Sequence, residues 1–573
     1  MFGSLRKNPR LGQWNGRRRS SRSDEPMLPR LWQRDALVRL GAVWLTAVTL
    51  AALAYAWGPP CPYRLGESYP YDLRLRVDFE IVNPVELANR SEGGPKASER
   101  PLVEKYPAGM LVIQRGQPLT DRQVDLLQEE HAAYLRQMST AEHFRRGLSL
   151  LALFTLLAGL VAFYVGRFQQ AMAQNLLTIL TLCGLVLLTM FVGAWLSRPP
   201  WHAVFVPLTL TAMILTIVYN PQFALLMSFS LSLGMSVLLG TDLNYLLQQM
   251  GGLAVAVLLL RNVRTRTQLV KVAAGAGLAY VVMTLATGVL SGQSWKLILA
   301  DAARNFVWGA AAGFVLTGAL PLVERCFKIV TDISLLELAD GSHPLLQELV
   351  KRAPGTYTHS ITVATLAEAA AEAVGANPLL TRVGSYFHDV GKMLKPHYFI
   401  ENQTGENRHD ELEPALSTLI IIGHVKDGVA LAQQYGLPRP VIDFIEQHHG
   451  TTLVEYFYRE AMRLQESSGH GSTELERNFR YAGPKPQTRE GGILMLADAV
   501  ESSSRALGEP TPGSLQKLVH DLLMKRLLDG QFEESGLTLT ELHAIEESLA
   551  KSLIALFHAR IKYPDAEPES EAA

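Results

Sequence analysis

The segment Tyr386-Phe387-His388-Asp389-Val390-Gly391-Lys392 decides how the rest of the chain is read. A histidine and an aspartate stand side by side, with Gly-Lys two residues on. Four more histidine or aspartate sites flank this doublet: His359-Ser360 upstream, then Gly423-His424-Val425, Gln447-His448-His449-Gly450 and Ala497-Asp498 downstream. All of them fall on helix-like sequence in the last third of the chain. The arrangement points to an all-helical domain holding a two-metal ligand set.

Around that domain, composition sets bounds. The chain has 573 residues, enough for more than one domain, and a formal net charge of −1, which predicts neither a nucleic-acid binder nor a polycationic surface protein. Hydrophobic residues make up 48%, and a mean hydropathy of +0.11 is high enough to predict membrane spans. Cys61, Cys183 and Cys326 show no C-x-x-C spacing, so neither a disulfide framework nor a zinc ribbon is expected. Any metal chemistry then falls to the histidines.

Upstream, residues 1–30 form a basic tail with Arg17-Arg18-Arg19 and no apolar periodicity, read as disordered. An apolar run near 40–57 follows, ending at Gly58-Pro59-Pro60; without a clear small-residue cleavage site it reads as an uncleaved anchor. Residues 58–146 are a small α+β extracytoplasmic segment. It has alternating stretches at 73–77 and 110–113 and a helix start at Thr120-Asp121 ahead of Val124, Leu126 and Leu127. Long apolar runs then predict spans near 148–166, 175–196, 203–219, 222–240, 246–260, 272–290 and 305–323. Arg167, Arg261, Arg264, Arg266, Lys271, Arg325 and Lys328 lie on one side with the basic tail, so positive-inside counting gives eight spans with both termini cytoplasmic. No acidic or basic residue lies near the centre of a span, which argues against an ion-coupled transporter. An anchor, a signal transmitter and a ligand pocket between helices all stay open.

The expected division is a tail 1–30, a transmembrane helix 31–57, an extracytoplasmic segment 58–146, a seven-transmembrane bundle 147–325, a linker 326–345, a cytoplasmic domain 346–565 and an acidic tail 566–573. The fold class is mainly α. In the cytoplasmic domain helices are predicted over 359–374, 379–391, 412–435, 439–449, 490–507, 514–529 and 539–560, with Gly375, Gly436 and Gly508 at helix ends.

Neighbours on a helix diverge by about 100°, so His388-Asp389 is no i, i+4 chelate. Asp389 can instead bridge two ions while His388 binds one. His448-His449 can turn both rings to one ion if the helix ends there, as Gly450 suggests. The predicted sets are His359, His388, Asp389 and Asp498 on one ion, and Asp389, His424, His448 and His449 on the other. So many nitrogens favour Fe, Mn or Zn over Mg or Ca. Two bridged ions suit in-line phosphoryl displacement, with Lys392 as a phosphate counter-charge. A lone His-Asp or His-His pair would mean little, but the ordered combination is specific. His343, His397, His409 and His470 lie in polar sequence and are read as solvated or capping. His409-Asp410 lacks the Gly-Lys that follows the first doublet. Residues 479–489 are either a surface loop or a lid offering Tyr481, Lys485 and Arg489 to a nucleotide.

These residues resemble the HD-domain metal-dependent phosphohydrolases, and more closely the seven-transmembrane-receptor HD family, the membrane cyclic-di-AMP phosphodiesterases of the PgpH type. The likeness extends to Thr331-Asp332-Ile333-Ser334-Leu335-Leu336-Glu337-Leu338 and to the residues from Ala353 to Ser360. It includes Phe399-Ile400-Glu401-Asn402-Gln403, Gly483-Pro484-Lys485-Pro486-Gln487-Thr488 and Ala497-Asp498-Ala499-Val500-Glu501. The resemblance implies a bacterial inner-membrane enzyme that converts cyclic-di-AMP to linear pApA at a di-iron or di-manganese centre, with Asp389 and Lys392 catalytic. The extracytoplasmic segment is shorter than the family's. The Gly-Tyr-Pro that marks related cyclic-di-GMP enzymes is replaced by Gly450-Thr451-Thr452. The rival readings are an HD nucleotide phosphohydrolase of other substrate and a receptor that binds nucleotide without turnover. Expected partners are the cyclic dinucleotide and the lipid bilayer. An unidentified ligand of the outer segment or bundle, and a second copy of the chain, stay open.

Overall fold

The computed structural model describes residues 34–558 apart from 62, 70, 83–102, 261–262, 404, 467–474 and 509, so the two tails and His470 lie outside the described residues. The chain divides near residue 327 into two compact units.

The first unit begins with helix Arg34–Trp57, which packs against helices Thr140–Phe168 and Leu176–Leu196. Between them lies the α+β segment. Leu73–Arg74 pairs antiparallel with Leu111–Ile113, as the two alternating stretches predicted. A second ribbon, Phe79–Val82 against Val103–Tyr106, was not legible in the sequence. Its first cross-strand pair stacks Phe79 on Tyr106, centroids 5.3 Å apart. Leu73, Leu75, Phe79, Ile113, Leu119 and Leu127 form the small core. Helix Asp121–Gln137 starts where expected: the Gln123 carboxamide oxygen accepts from the Thr120 backbone N–H (3.0 Å) and hydroxyl (2.9 Å). Its buried Glu130 accepts from Arg76 at the backbone N–H (2.8 Å) and at Nη2 (2.7 Å), tying the helix to the strand end.

Seven helices follow: Thr140–Phe168, Leu176–Leu196, Phe205–Val218, Pro221–Leu239, Leu243–Leu259, Arg266–Leu290 and Trp295–Phe327. Each overlaps one predicted span. The third is only 14 residues, about 21 Å at 1.5 Å per residue, which is less than a bilayer core. Asn220 and Pro221 cause the break, since the Asn220 side chain caps the next helix at Phe223 N–H (2.8 Å) and Pro221 occupies its first turn. The seventh starts ten residues before the predicted span and so takes in Asp301 and Arg304. These two pair at 2.5 Å in its first third, with Arg64 of the α+β segment 3.5 Å from Asp301. Between the helices, three hydroxyl-bearing pairs bond: Thr189 with Thr211 (2.6 Å), Thr209 with Tyr280 (2.7 Å) and Asn305 with Thr284 (3.0 Å), whereas the hydroxyls of Ser228, Ser232 and Ser236 are buried without a hydrogen-bond partner.

Among its described residues the second unit is helical apart from one bridge, Leu453 with Arg480. Proline opens helices Pro344–Arg352, Pro354–Val374, Pro378–Phe387, Pro414–Gln434 and Pro512–Leu528, a position where its missing N–H has no helical partner to lose. Helices Arg439–Gln447, Glu455–Glu466, Arg489–Ser504 and Leu539–His558 complete the set around a core that includes Leu349, Val363, Phe387, Val441, Ile445, Leu494, Val519 and Leu549. By length and composition Pro414–Gln434 would also pass for a span. It carries His424 and belongs to this unit, as the sequence reading had it.

Three expectations are corrected here. The segment 326–345 is not a free linker: helix Asp332–Leu338 lies in it, Leu335 is 1% exposed, and that residue belongs to the domain core. The helix predicted over 379–391 stops at Phe387 and gives way to a 3₁₀ turn over Val390–Leu394, while that over 439–449 stops at Gln447. Gly375 (φ 65°) and Gly436 (φ 71°) take the left-handed conformation at or just beyond helix ends, but Gly508 lies past the end at Ser504 without it.

Candidate metal centre

Both doublets sit at helix ends, and that placement lets neighbouring side chains converge. His388 follows the last helical residue, Phe387, and Asp389 leaves the helix at φ −108°, ψ 15°. His448 and His449 follow Gln447 in a turn closed by Gly450 at φ 53°. His359, His424 and Asp498 project from helices Pro354–Val374, Pro414–Gln434 and Arg489–Ser504. Gly391 lets the turn approach the His424 helix, because a Cβ there would lie 1.9 Å from the His424 carbonyl oxygen.

All seven residues meet, in two groups that share Asp389. One donor atom from each of His359, His388, Asp389 and Asp498 lies within 4.8 Å of the others, and the same holds for Asp389, His424, His448 and His449. The Asp389 carboxylate divides them. Its Oδ2 is 3.5 Å from His359 Nε2 and 3.2 Å from His388 Nε2, and its Oδ1 is 3.3 Å from His424 Nε2 and 3.5 Å from His448 Nε2. Asp498 adds Oδ1 at 3.0 Å from His359 Nε2, and Oδ2 at 3.9 Å from His449 Nδ1. His388, Asp389 and His448 are essentially inaccessible.

The donor set fits a divalent ion. Nδ1 of His388 donates to the Ser385 carbonyl (2.8 Å), that of His424 to the Ile421 carbonyl (2.5 Å) and that of His448 to the Ile445 carbonyl (2.9 Å), so each Nε2 lone pair faces inward. His359 Nε2, His388 Nε2 and Asp389 Oδ1 are buried without a hydrogen-bond partner. Such atoms are rare unless something else satisfies them. Asp389 Oδ2 meets Lys392 Nζ at 2.7 Å, and Glu401 Oε1 holds the same ammonium at 3.1 Å.

Charge in the cluster has a sign that can be measured. Burial pulls the His388 imidazole down, but Asp389 and Asp498 outweigh it and push its pKa up to about 10. His359 is likewise raised against burial by Asp498 and Glu501. Burial opposes ionisation of Asp389, yet His388 and Lys392 hold it well below the usual carboxylate range. Burial keeps His448 low, and burial with His448 alongside holds His449 lower still. At neutral pH the metal-free His388 therefore carries a proton that an ion must displace; His359 is shifted in the same direction, and His448 and His449 in the opposite one. Ion uptake at pH 7 should release protons, and affinity should fall as pH drops, by up to about tenfold per unit for each proton displaced. Calorimetry in buffers of different ionisation enthalpy counts those protons.

Of the residues read as substrate contacts, only part of the set reaches the centre. Tyr481 does: its ring stacks on His449 at 4.3 Å and meets His424 edge-on at 6.3 Å. Lys392 is at the centre but pinned between two carboxylates. Lys485 is engaged with Glu533 (2.9 Å), and the Arg489 guanidinium bonds Glu541 (2.5 Å) and the Val374 carbonyl. These two cations tie the fold together and are not turned toward the cluster. His343 caps a helix, its Nδ1 accepting from Leu345 N–H (3.3 Å). His397 is exposed, as read, but His409 is buried and bonded to the Tyr398 carbonyl (2.8 Å), not solvated. The sequence reading named neither Glu401 nor Glu501 as functional. Glu501, three residues after Asp498 on one helix, shares its face, and that spacing was the available signal.

Comparison with known proteins agrees with this site. A family model described as "7TM receptor with intracellular HD hydrolase" matches residues 144–331, and one for the HD domain matches 356–503. The "Cyclic-di-AMP phosphodiesterase PgpH" of Bacillus subtilis is 34% identical over 496 residues, 82% of this chain and 68% of that protein. The protein of the same name from Listeria monocytogenes is 32% identical over 502 residues, 85% of this chain and 68% of that one. The crystal structure of the L. monocytogenes PgpH HD domain is 44% identical and covers 38% of this chain and 100% of that chain, with a TM-score of 0.36. Together with the apolar helices and the buried His/Asp cluster suited to divalent metal, these relatives and family models make the chain a multi-pass membrane phosphodiesterase with an HD hydrolase domain. The chain belongs to the seven-transmembrane HD family that includes the PgpH proteins.

Proposed function

We propose that this protein hydrolyses a cyclic dinucleotide, cyclic-di-AMP to linear pApA, at the cytoplasmic face of a bacterial cell membrane. The reading rests above all on Asp389, whose two oxygens each face a separate histidine pair. Two relatives bear the name of that activity. The ions would be Fe or Mn, one in each ligand group, since three of the four donors in the second group are imidazoles. Two such ions, when bound, activate water and stabilise charge on a phosphoryl group. The chain's own residues do the rest. Lys392 holds the Asp389 carboxylate and supplies positive charge beside the phosphoester, and Glu401 keeps that ammonium in place. Tyr481, fixed by its backbone N–H to the Thr452 carbonyl (3.0 Å) and stacked on His449, offers an aromatic surface to a base. The basic loops at Arg167, Arg264, Arg266 and Lys271 support cytoplasmic termini.

The test is product identity. Detergent-purified full-length chain with Mn²⁺ is incubated with a panel of cyclic dinucleotides, and the products are resolved by mass spectrometry. A linear dinucleotide with a 5′-phosphate, formed fastest from cyclic-di-AMP, is expected. Release of inorganic phosphate, or binding without turnover, would contradict the proposal. Tyr481→Ala is expected to raise KM about tenfold, the equivalent of about 1.4 kcal/mol of lost stacking, with a smaller change in kcat. Steady-state kinetics separates the two.

A further inference from the structure

Four histidines of the cluster have an identified Nδ1 acceptor, and these four are not held alike. His388, His424 and His448 donate Nδ1–H to neutral backbone carbonyls one helical turn back. His359 alone gives Nδ1 to a carboxylate, Glu501 Oε2, at 2.5 Å. Glu501 is 3% exposed, and its other oxygen is held by Arg505, with Nε at 2.8 Å. A run Arg505–Glu501–His359 thus ends on the cluster, where His359 Nε2 faces Asp498 Oδ1 (3.0 Å) and Asp389 Oδ2 (3.5 Å).

A charge-assisted bond at Nδ1 is about twice as strong as a neutral one and makes Nε2 a better donor. The two ligand groups also differ in charge. The His359 group has two carboxylates in contact range, with Glu501 behind, whereas the His424 group has only the shared Asp389 among three imidazoles. A dication is therefore drawn more strongly to the first, against the competing proton that the same carboxylates hold on His388. Lys392 opposes this from 2.7 Å, on the Asp389 oxygen facing that group, but Glu401 at 3.1 Å offsets its charge. Arg505 opposes it less, being half exposed and screened by solvent.

We infer that Glu501 is a positioning residue that makes the two metal positions unequal: by orienting and charging His359 it gives the His359/His388/Asp389/Asp498 position the higher affinity, so that the ions load in sequence. This rests on the two-ion reading above. It goes further by assigning the difference between the positions to one outer carboxylate.

The test is calorimetric titration of metal-stripped, detergent-purified full-length chain with Mn²⁺ alone, which reads binding without turnover. Wild type is expected to take up two ions in a tight step and a weaker one. Glu501→Gln keeps the shape and one acceptor but removes the charge. It should weaken the tight step about 10–100-fold and leave the weak step within about threefold. His424→Ala should abolish the weak step and retain the tight one. Should Glu501→Gln fail to fold, Glu501→Asp, which withdraws the carboxylate by one methylene, should weaken the tight step alone. Two equal steps in wild type, or two steps that the Glu501 variants leave unmoved or shift together, would overturn this inference and leave the two-ion reading standing. No Mn²⁺ uptake by wild type would overturn both.

Discussion

Asp389→Ala is expected to abolish turnover and metal retention together while the protein still inserts in the membrane. Asp389 is the residue common to both ligand groups, and each of its oxygens faces its own pair of imidazoles. Losing an outer-shell partner alone costs about 10–100-fold in metal affinity or activity, so loss of the shared carboxylate should exceed about 100-fold. Removal also strands the Lys392 ammonium, now 2.7 Å from Asp389 and almost wholly buried, with Glu401 as its remaining partner. Some of the effect of alanine will therefore be destabilisation. Asp389→Asn separates the two, because it keeps the shape and removes the charge. Metal content by mass spectrometry, with initial rates, should fall in both variants while far-ultraviolet circular dichroism stays native in the asparagine. Turnover near wild type in either would contradict the sharing role.

The second large effect concerns metal identity. Chelation of the full-length chain should cut turnover by more than about 100-fold, with recovery on adding Mn²⁺ or Fe²⁺ and little on adding Mg²⁺. Five of the seven donors are imidazoles, and backbone carbonyls set three of them, His388, His424 and His448, to present Nε2 to the cluster. Mg²⁺ prefers oxygen in a near-octahedral shell and parts from its waters reluctantly, whereas nitrogen-rich sites suit later first-row ions. Rates measured after back-titration with each ion decide it. Recovery by Mg²⁺ alone would contradict the nitrogen-rich assignment.

How far the sequence foretells the structure depends on the range of the interaction. Apolar runs marked all seven bundle helices, since each run is local, although Thr140–Phe168 and Trp295–Phe327 extend well beyond theirs. The residues of the His/Asp cluster were legible because the ordered pattern of doublets and single residues is specific, although their convergence is tertiary. Helix ends were less legible. His388-Asp389 read as a continuation of its helix, and only the fold shows the backbone leaving the helix there; Gly450 did signal an end near His448-His449, placed two residues late. Contacts between distant elements were not legible at all. Arg489 and Lys485 looked free for a substrate until Glu541 and Glu533 appeared beside them. Helix Asp332–Leu338 hid in apparent linker because seven residues carry too little periodicity to stand out, yet Leu335 fixes it to the core.

The most direct test of a pair of ions held across Asp389 is anomalous X-ray scattering from crystals of the full-length protein loaded with Mn²⁺, recorded at the manganese edge. Two peaks about 3.5–4 Å apart are expected, one against His359, His388 and Asp498, the other against His424, His448 and His449, with Asp389 between them. A single peak, or two that do not share Asp389, would contradict the account.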